Sequence, residues 1–61
     1  MLDKQLVMQI CRLYEVSEVE IISPSKKTKY MDILVFITKM DNYQIKDYKV
    51  ELDRKKLVIY I

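Results

Sequence analysis

The first apolar positions of the chain recur at intervals of three and four residues, which is the spacing of an amphipathic helix. These positions are Leu2, Leu6, Val7, Ile10, Cys11, Leu13 and Tyr14. Asp3 is suited to be the N-cap, because its carboxylate can accept hydrogen bonds from backbone N–H groups two or three residues further along. The pattern therefore predicts a helix over residues 4–15 with one face buried.

Beyond this helix the period of the apolar positions shortens to two, which is typical of β-strands. In residues 16–23, Val19 and Ile21 alternate with two glutamates, so one face of this segment is apolar and the other acidic. Three more segments are predicted to be strands: 29–40, 43–53 and 57–61. In residues 43–53 the alternation changes phase, and a β-bulge near Lys46 and Asp47 would account for the change.

Short polar segments separate the predicted strands, at residues 23–25, 41–42 and 53–56. Because short connections join strands that are neighbours in a sheet, we expect an antiparallel meander. The helix would cover one face of that sheet. The predicted fold is thus α+β, with an N-terminal helix packed on one face of a four-stranded antiparallel meander sheet (αββββ), in a single domain of residues 1–61.

Two of the predicted strands, 29–40 and 57–61, are apolar on both faces, although one short helix can cover only one face of the sheet. An uncovered apolar face costs about 25 cal/mol per Å² and is unusual on a monomer. The candidate interface is Ile33, Val35, Ile37, Ile59 and Ile61, or the set of opposite parity, Leu34, Phe36, Val58 and Tyr60. The sequence does not decide which set faces the helix. A sheet that twists and covers itself is the alternative, and the last strand is also a possible edge for pairing with another chain.

The length and composition narrow the ways in which this chain can be stabilised. A chain of 61 residues buries a small core, and domains of this size usually add disulfides, a metal or a partner. Cys11 is the only cysteine and there is no histidine, so an internal disulfide is excluded and a zinc site is not expected. We therefore expect a partner chain, either in a homo-oligomer, most simply a dimer, or in an obligate complex with another protein.

The same composition excludes most kinds of catalytic site. Without histidine there is no Ser-His or Cys-His nucleophile pair, and without glycine there is no phosphate-cradling P-loop or dinucleotide fingerprint. Glu18 and Glu20 would share a strand face, but glutamates at such positions are typical of a solvated surface. We expect no enzymatic activity and no cofactor.

The net charge of +2 conceals an uneven distribution, because residues 1–25 carry −2 and residues 26–61 carry +4. Alternate turns of a meander lie at the same end of the sheet, so six cations are expected to gather there. They are Lys26, Lys27, Lys29, Arg54, Lys55 and Lys56. Such a cluster could neutralise the phosphates of a nucleic acid, with Tyr30 or Tyr60 stacking on a base. Lysine-rich turns can also serve solubility alone.

No apolar run is longer than five residues, far below the ~20 that span a membrane, and the N-terminal residues lack the apolar core of a signal peptide. The lone cysteine suits a reducing compartment. We therefore expect a cytoplasmic protein that does not contact membranes. The leading hypothesis is a small regulator or inhibitor that binds a protein partner through an apolar sheet face or edge strand, as a homodimer. The alternative is nucleic-acid binding through the basic turns.

Overall fold

A mixed four-stranded sheet with two helices makes up the structure, a computed structural model that describes residues 2–61. The elements in chain order are α1 (Lys4–Tyr14), β1 (Glu18–Ser23), β2 (Lys26–Asp32), α2 (Ile33–Lys39), a short 3₁₀ helix (Met40–Asn42), β3 (Asp47–Glu51) and β4 (Lys56–Tyr60). The strand order is β2-β1-β4-β3. The α+β class is therefore confirmed.

The sheet is not the predicted meander, because its two central strands are parallel. β1 pairs with β2 and β3 pairs with β4 as antiparallel hairpins, and β1 pairs in parallel with β4. The parallel arrangement requires a crossover, and α2 provides it by carrying the chain from the β2 edge to the β3 edge. The prediction of a purely antiparallel sheet is wrong, because the predicted elements did not include a crossover helix.

The missing crossover element lies inside the predicted strand 29–40. β2 ends at Asp32, whose Oδ1 accepts a hydrogen bond of 2.8 Å from the backbone N–H of Leu34 and so acts as the N-cap of α2. From there Ile33, Phe36 and Met40 are buried at helical spacing. A short apolar run does not by itself distinguish a buried helix from a buried strand, and the β-branched residues of this run favour the strand reading.

The N-terminal helix agrees closely with the prediction for residues 4–15. Asp3 is its N-cap, and its Oδ1 accepts a hydrogen bond of 2.8 Å from the backbone N–H of Leu6. The helix ends at Glu15, which has φ 54° and lies in the left-handed region. Lys55, in the turn before β4, has the same φ. This chain has no glycine for such positions, so ordinary residues occupy them at some cost in free energy.

Both helices pack on the same face of the sheet. The core joins the buried residues of α1 and α2 to sheet residues of a single parity, Val19, Ile21, Leu57 and Ile59. In the predicted strand 43–53, residues 43–46 are irregular and β3 begins only at Asp47. The change of phase near Lys46 therefore marks the start of a strand, and the register shift of the sheet lies instead between Ile21 and Ser23.

Within the described residues the second face of the sheet mixes charged side chains with Ile22, Tyr30, Val58 and Tyr60, so it is not the continuous apolar face that was expected. Val58 is 1% exposed there and lies in one row with Glu20 of β1 and Lys49 of β3. Lys56 on the same face reaches Glu18 and Glu20 at 3.4 and 3.6 Å, and its Nζ lies 5.0 Å from the Tyr30 ring centroid. Long polar side chains therefore take the place of a second layer on this face.

The residues of the candidate interface are distributed over several environments. Ile33, Phe36, Val58 and Ile59 are buried, Ile37, Tyr60 and Ile61 are half-buried, and Leu34 and Val35 are exposed on the outer side of α2. Neither parity set forms a continuous surface, because residues 33–39 follow a helical period. The candidate residues therefore do not share one strand face, as the prediction assumed.

Candidate nucleic-acid interface

The turn between β1 and β2 forms one wall of a cleft of about 340 Å³. The other wall is the irregular segment before β3, and the ends of β1 and β4 lie between the two. The cleft is lined by Ile21, Ser23, Lys26, Lys27, Lys29, Asn42, Tyr43, Gln44, Lys46 and Ile61. We call the cleft formed by these residues the lysine cleft. It includes all three lysines of the first predicted basic turn.

The hairpin wall is positioned by the register of the edge strand. Lys29 lies opposite Ile21, so it is on the same sheet face as the core but on the outermost strand. Lys26 pairs with Ser23 immediately after the register shift. Because β2 is an edge strand, its lysines are exposed to solvent.

The opposite wall is fixed by backbone hydrogen bonds and by an aromatic contact. The backbone N–H of Lys46 donates to the carbonyl of Tyr60 at 2.7 Å, and that of Tyr43 donates to Met40 at 3.1 Å. The ring of Tyr43 stacks on that of Phe36, with centroids 6.2 Å apart and 23° between the planes. This wall of the cleft is therefore anchored to the core.

The lysines of the cleft differ from most other cations of the chain in having no ion pair. Of the eleven lysines and arginines, five lie within 4.0 Å of a carboxylate: Lys4, Lys49, Arg54, Lys55 and Lys56. Six have no such partner within residues 2–61, and four of those six line this one cleft. No acidic side chain lines it. The cleft is thus a concentrated, uncompensated positive site.

The second predicted basic turn lies at the other end of the sheet. Because β4 runs parallel to β1, the turn that enters β4 is beside the start of β1, and the N–H of Ser17 donates to the carbonyl of Lys55 at 3.0 Å. The expectation that six cations share one end is therefore wrong. Arg54 lies 3.9 Å from Glu51, and Lys55 lies 3.3 Å from Glu15.

Lys46 completes the cleft, and sequence reasoning did not select it. Its place beside Lys26, Lys27 and Lys29 depends on β4 lying in the centre of the sheet, since its backbone is bonded to Tyr60. In the sequence Lys46 was noted only because the alternation of apolar and polar residues changes phase near it. The predicted stacking residue Tyr30 is on the other sheet face, beside Lys56.

A larger cleft of about 1160 Å³ lies on the other side of the 42–46 segment, between that segment and the start of α1. Its lining includes the carboxylates of Asp3, Asp41 and Asp47. Asp41 forms an ion pair of 3.4 Å with Lys4. The sign of the charge therefore changes across one short segment, and an anionic ligand would be drawn to the lysine cleft.

The described residues contain no group of three metal-ligating side chains, and the thiol of Cys11 is half-buried and donates to the carbonyl of Val16 at 3.2 Å. Neither helix within residues 2–61 is long and apolar enough to cross a membrane. The lysine cleft itself presents ammonium groups and side-chain amides, which are hydrogen-bond donors.

The chain matches no protein-family model, no curated protein and no solved structure.

Proposed function

We propose that this protein binds nucleic acid through the lysine cleft and that it acts by binding rather than by catalysis. The observation that carries the proposal is the gathering of Lys26, Lys27, Lys29 and Lys46 around one cleft without an acidic side chain. A nucleic acid presents phosphates at regular intervals, and each ammonium group that neutralises one releases condensed counterions. Uncompensated lysines gain more from this exchange than lysines that must first leave an ion pair.

The salt dependence of binding is the first test of this proposal. For four phosphate contacts with a single strand, log K should fall with log salt at a slope of about −2.8, because each contact contributes about −0.7. Affinity should then drop roughly 50-fold between 50 and 200 mM salt. Fluorescence anisotropy of a labelled 20-nucleotide strand, titrated with the protein, measures the affinity at each salt concentration.

A double variant shows whether the cleft is responsible. Lys27→Gln/Lys29→Gln should weaken binding on the order of tenfold and reduce the slope to about −1.4, because two contacts are lost. The matched control is Arg12→Gln/Lys39→Gln, which removes two cations that also lack an ion pair but do not line the cleft. The control should change affinity less than about twofold. Equal weakening by both variants, or no binding at 50 mM salt, contradicts the proposal.

A protein partner, in the simplest case a second copy of this chain, is the second candidate. It is favoured by two leucines on the helices, Leu13 and Leu34, which are 73% and 69% exposed. The N–H of Ile33 donates to the carbonyl of Ser17 at 3.2 Å, so the start of α2 lies beside the segment that follows α1. Both leucines are therefore near the same end of the helical layer, which is remote from the lysine cleft.

The mass in solution tests the second candidate. If this helical surface joins two copies, light scattering at about 50 μM should give twice the mass of the chain, and Leu13→Ser/Leu34→Ser should return it to the monomer. Met8→Ser/Val35→Ser is the comparison variant, since it removes two less exposed apolar side chains from the same helices. A wild-type protein that is monomeric at this concentration contradicts self-association.

A further inference from the structure

We infer that the ligand of the lysine cleft is a single strand of nucleic acid, with one nucleotide seated between the two walls, and not a duplex. The inference rests on the proposed function and names the class of ligand that the same site takes. It follows from the size of the cleft, from the polar groups that line it and from the anchoring of one of its walls.

The size of the cleft favours a flexible strand, because its cations come from two different segments of the chain. Lys26, Lys27 and Lys29 come from the hairpin, and Lys46 comes from the segment opposite. The volume of about 340 Å³ is at the lower end of the ~300–1,000 Å³ typical of sites that enclose a small ligand, which is the size class of one nucleotide. A duplex is too wide to enter and would meet only the rim, whereas a single strand can bend its backbone between both walls.

The lining also supplies groups that can recognise an unpaired base inside the cleft. Asn42 and Gln44 place side-chain amides on the wall that carries Lys46. An amide both donates and accepts hydrogen bonds and can pair with the edge of an unpaired base. In a duplex the Watson–Crick edges are occupied, and the major-groove edges that amides also read belong to a helix too wide to enter a cleft of this volume. Inside the cleft the amides therefore favour an unpaired base.

The wall that carries the amides is held in place before any ligand arrives. The bond from Lys46 to Tyr60 and the stacking of Tyr43 on Phe36 attach the amide-bearing segment to the core. Preorganisation of this kind lowers the ordering cost that the protein contributes on binding. A flat anionic surface such as a membrane would make no use of a concave site or of the amides that line it.

Competition binding tests the inference directly. A labelled 12-nucleotide strand bound at 50 mM salt is displaced by unlabelled single strand, by a blunt duplex of the same sequence, or by vesicles containing phosphatidylserine, each matched in total anionic groups. The single strand should compete at least tenfold better than either alternative. A duplex or vesicle that competes equally well, with the Lys27→Gln/Lys29→Gln variant still impaired, overturns the inference but leaves anion binding by the cleft intact. If no nucleic acid binds at all, the proposed function fails as well.

A second variant separates seating in the cleft from attraction to its rim. Asn42→Ala/Gln44→Ala should weaken single-strand binding about fivefold and leave the salt slope unchanged, because amide contacts release no counterions. Binding of the duplex should be unaffected by this change. A variant that binds single strands as tightly as the wild type, and is folded by circular dichroism, overturns the seating of a nucleotide between the walls.

Discussion

Phe36→Ala should cost about 3–5 kcal/mol of the free energy of unfolding and leave much of the protein unfolded at 37 °C. Phe36 is 0% exposed, belongs to the core and stacks on Tyr43. Its removal leaves a cavity between α2 and the sheet that the rigid central strands do not fill. The free energy of unfolding of a small domain is near the lower end of ~5–15 kcal/mol, so this loss removes most of it. Urea unfolding followed by circular dichroism measures it.

Leu34→Ala is the matched control for this result. Leu34 is two residues away and is 69% exposed, so its truncation should change the stability by less than about 0.5 kcal/mol. On a strand the two residues would share a face and the two truncations would have similar costs. On a helix, positions two apart are separated by about 200°. Similar losses for both variants would therefore contradict the helical assignment of residues 33–39.

Lys56→Met should cost about 2 kcal/mol, which is large for a charged residue in a protein of this size. The side chain of Lys56 is only 19% exposed, and its Nζ lies near Glu18, Glu20 and the ring of Tyr30. Methionine keeps most of the apolar stem, so the change isolates the charge. The substitution removes two ion pairs, worth up to ~1 kcal/mol each, and a cation–π contact worth ~0.5–1 kcal/mol. Thermal unfolding at low salt gives the difference.

The adjacent lysine provides the control for this loss. Lys55→Met removes one ion pair, with Glu15, between two exposed side chains, and should cost less than about 0.5 kcal/mol. Adding Glu20→Gln to Lys56→Met should recover part of the lost stability, because two carboxylates no longer face each other without a cation. If Lys55→Met and Lys56→Met have equal effects, the charged sheet face contributes no more than an ordinary surface pair.

The sequence predicted the local structure of this chain better than its topology. The N-cap at Asp3, the helix after it and the alternation in β1 are local features, and each is present in the structure. The assignment of residues 33–39 failed because Ile33-Leu34-Val35-Phe36-Ile37 is apolar in every position, so neither period is visible. Only the N-cap at Asp32 gave a local signal for the helix, and aspartate also occurs in turns.

The error in one element then changed the arrangement of the whole sheet. Without α2 as a crossover, β4 could only be placed at an edge, and the second basic turn appeared beside Lys26. With the crossover, β4 pairs with β1, and the cations at Arg54 and Lys55 move to the acidic end. Three of the four cleft lysines were therefore found from the sequence. The fourth, Lys46, required long-range pairing that no local pattern specifies.

The parallel pairing of β1 with β4 also has a consequence for how this chain reaches its native state. Glu18 lies opposite Lys56, so the central contact of the sheet closes a loop of 38 residues in a chain of 61. Closing such a loop costs about 3 kcal/mol in chain entropy before the contact between the strands contributes any stabilisation. Each hairpin alone has one central strand with an unpaired side. We therefore expect folding to be slow for a chain of this length, and the two hairpins to become stable together in one cooperative step.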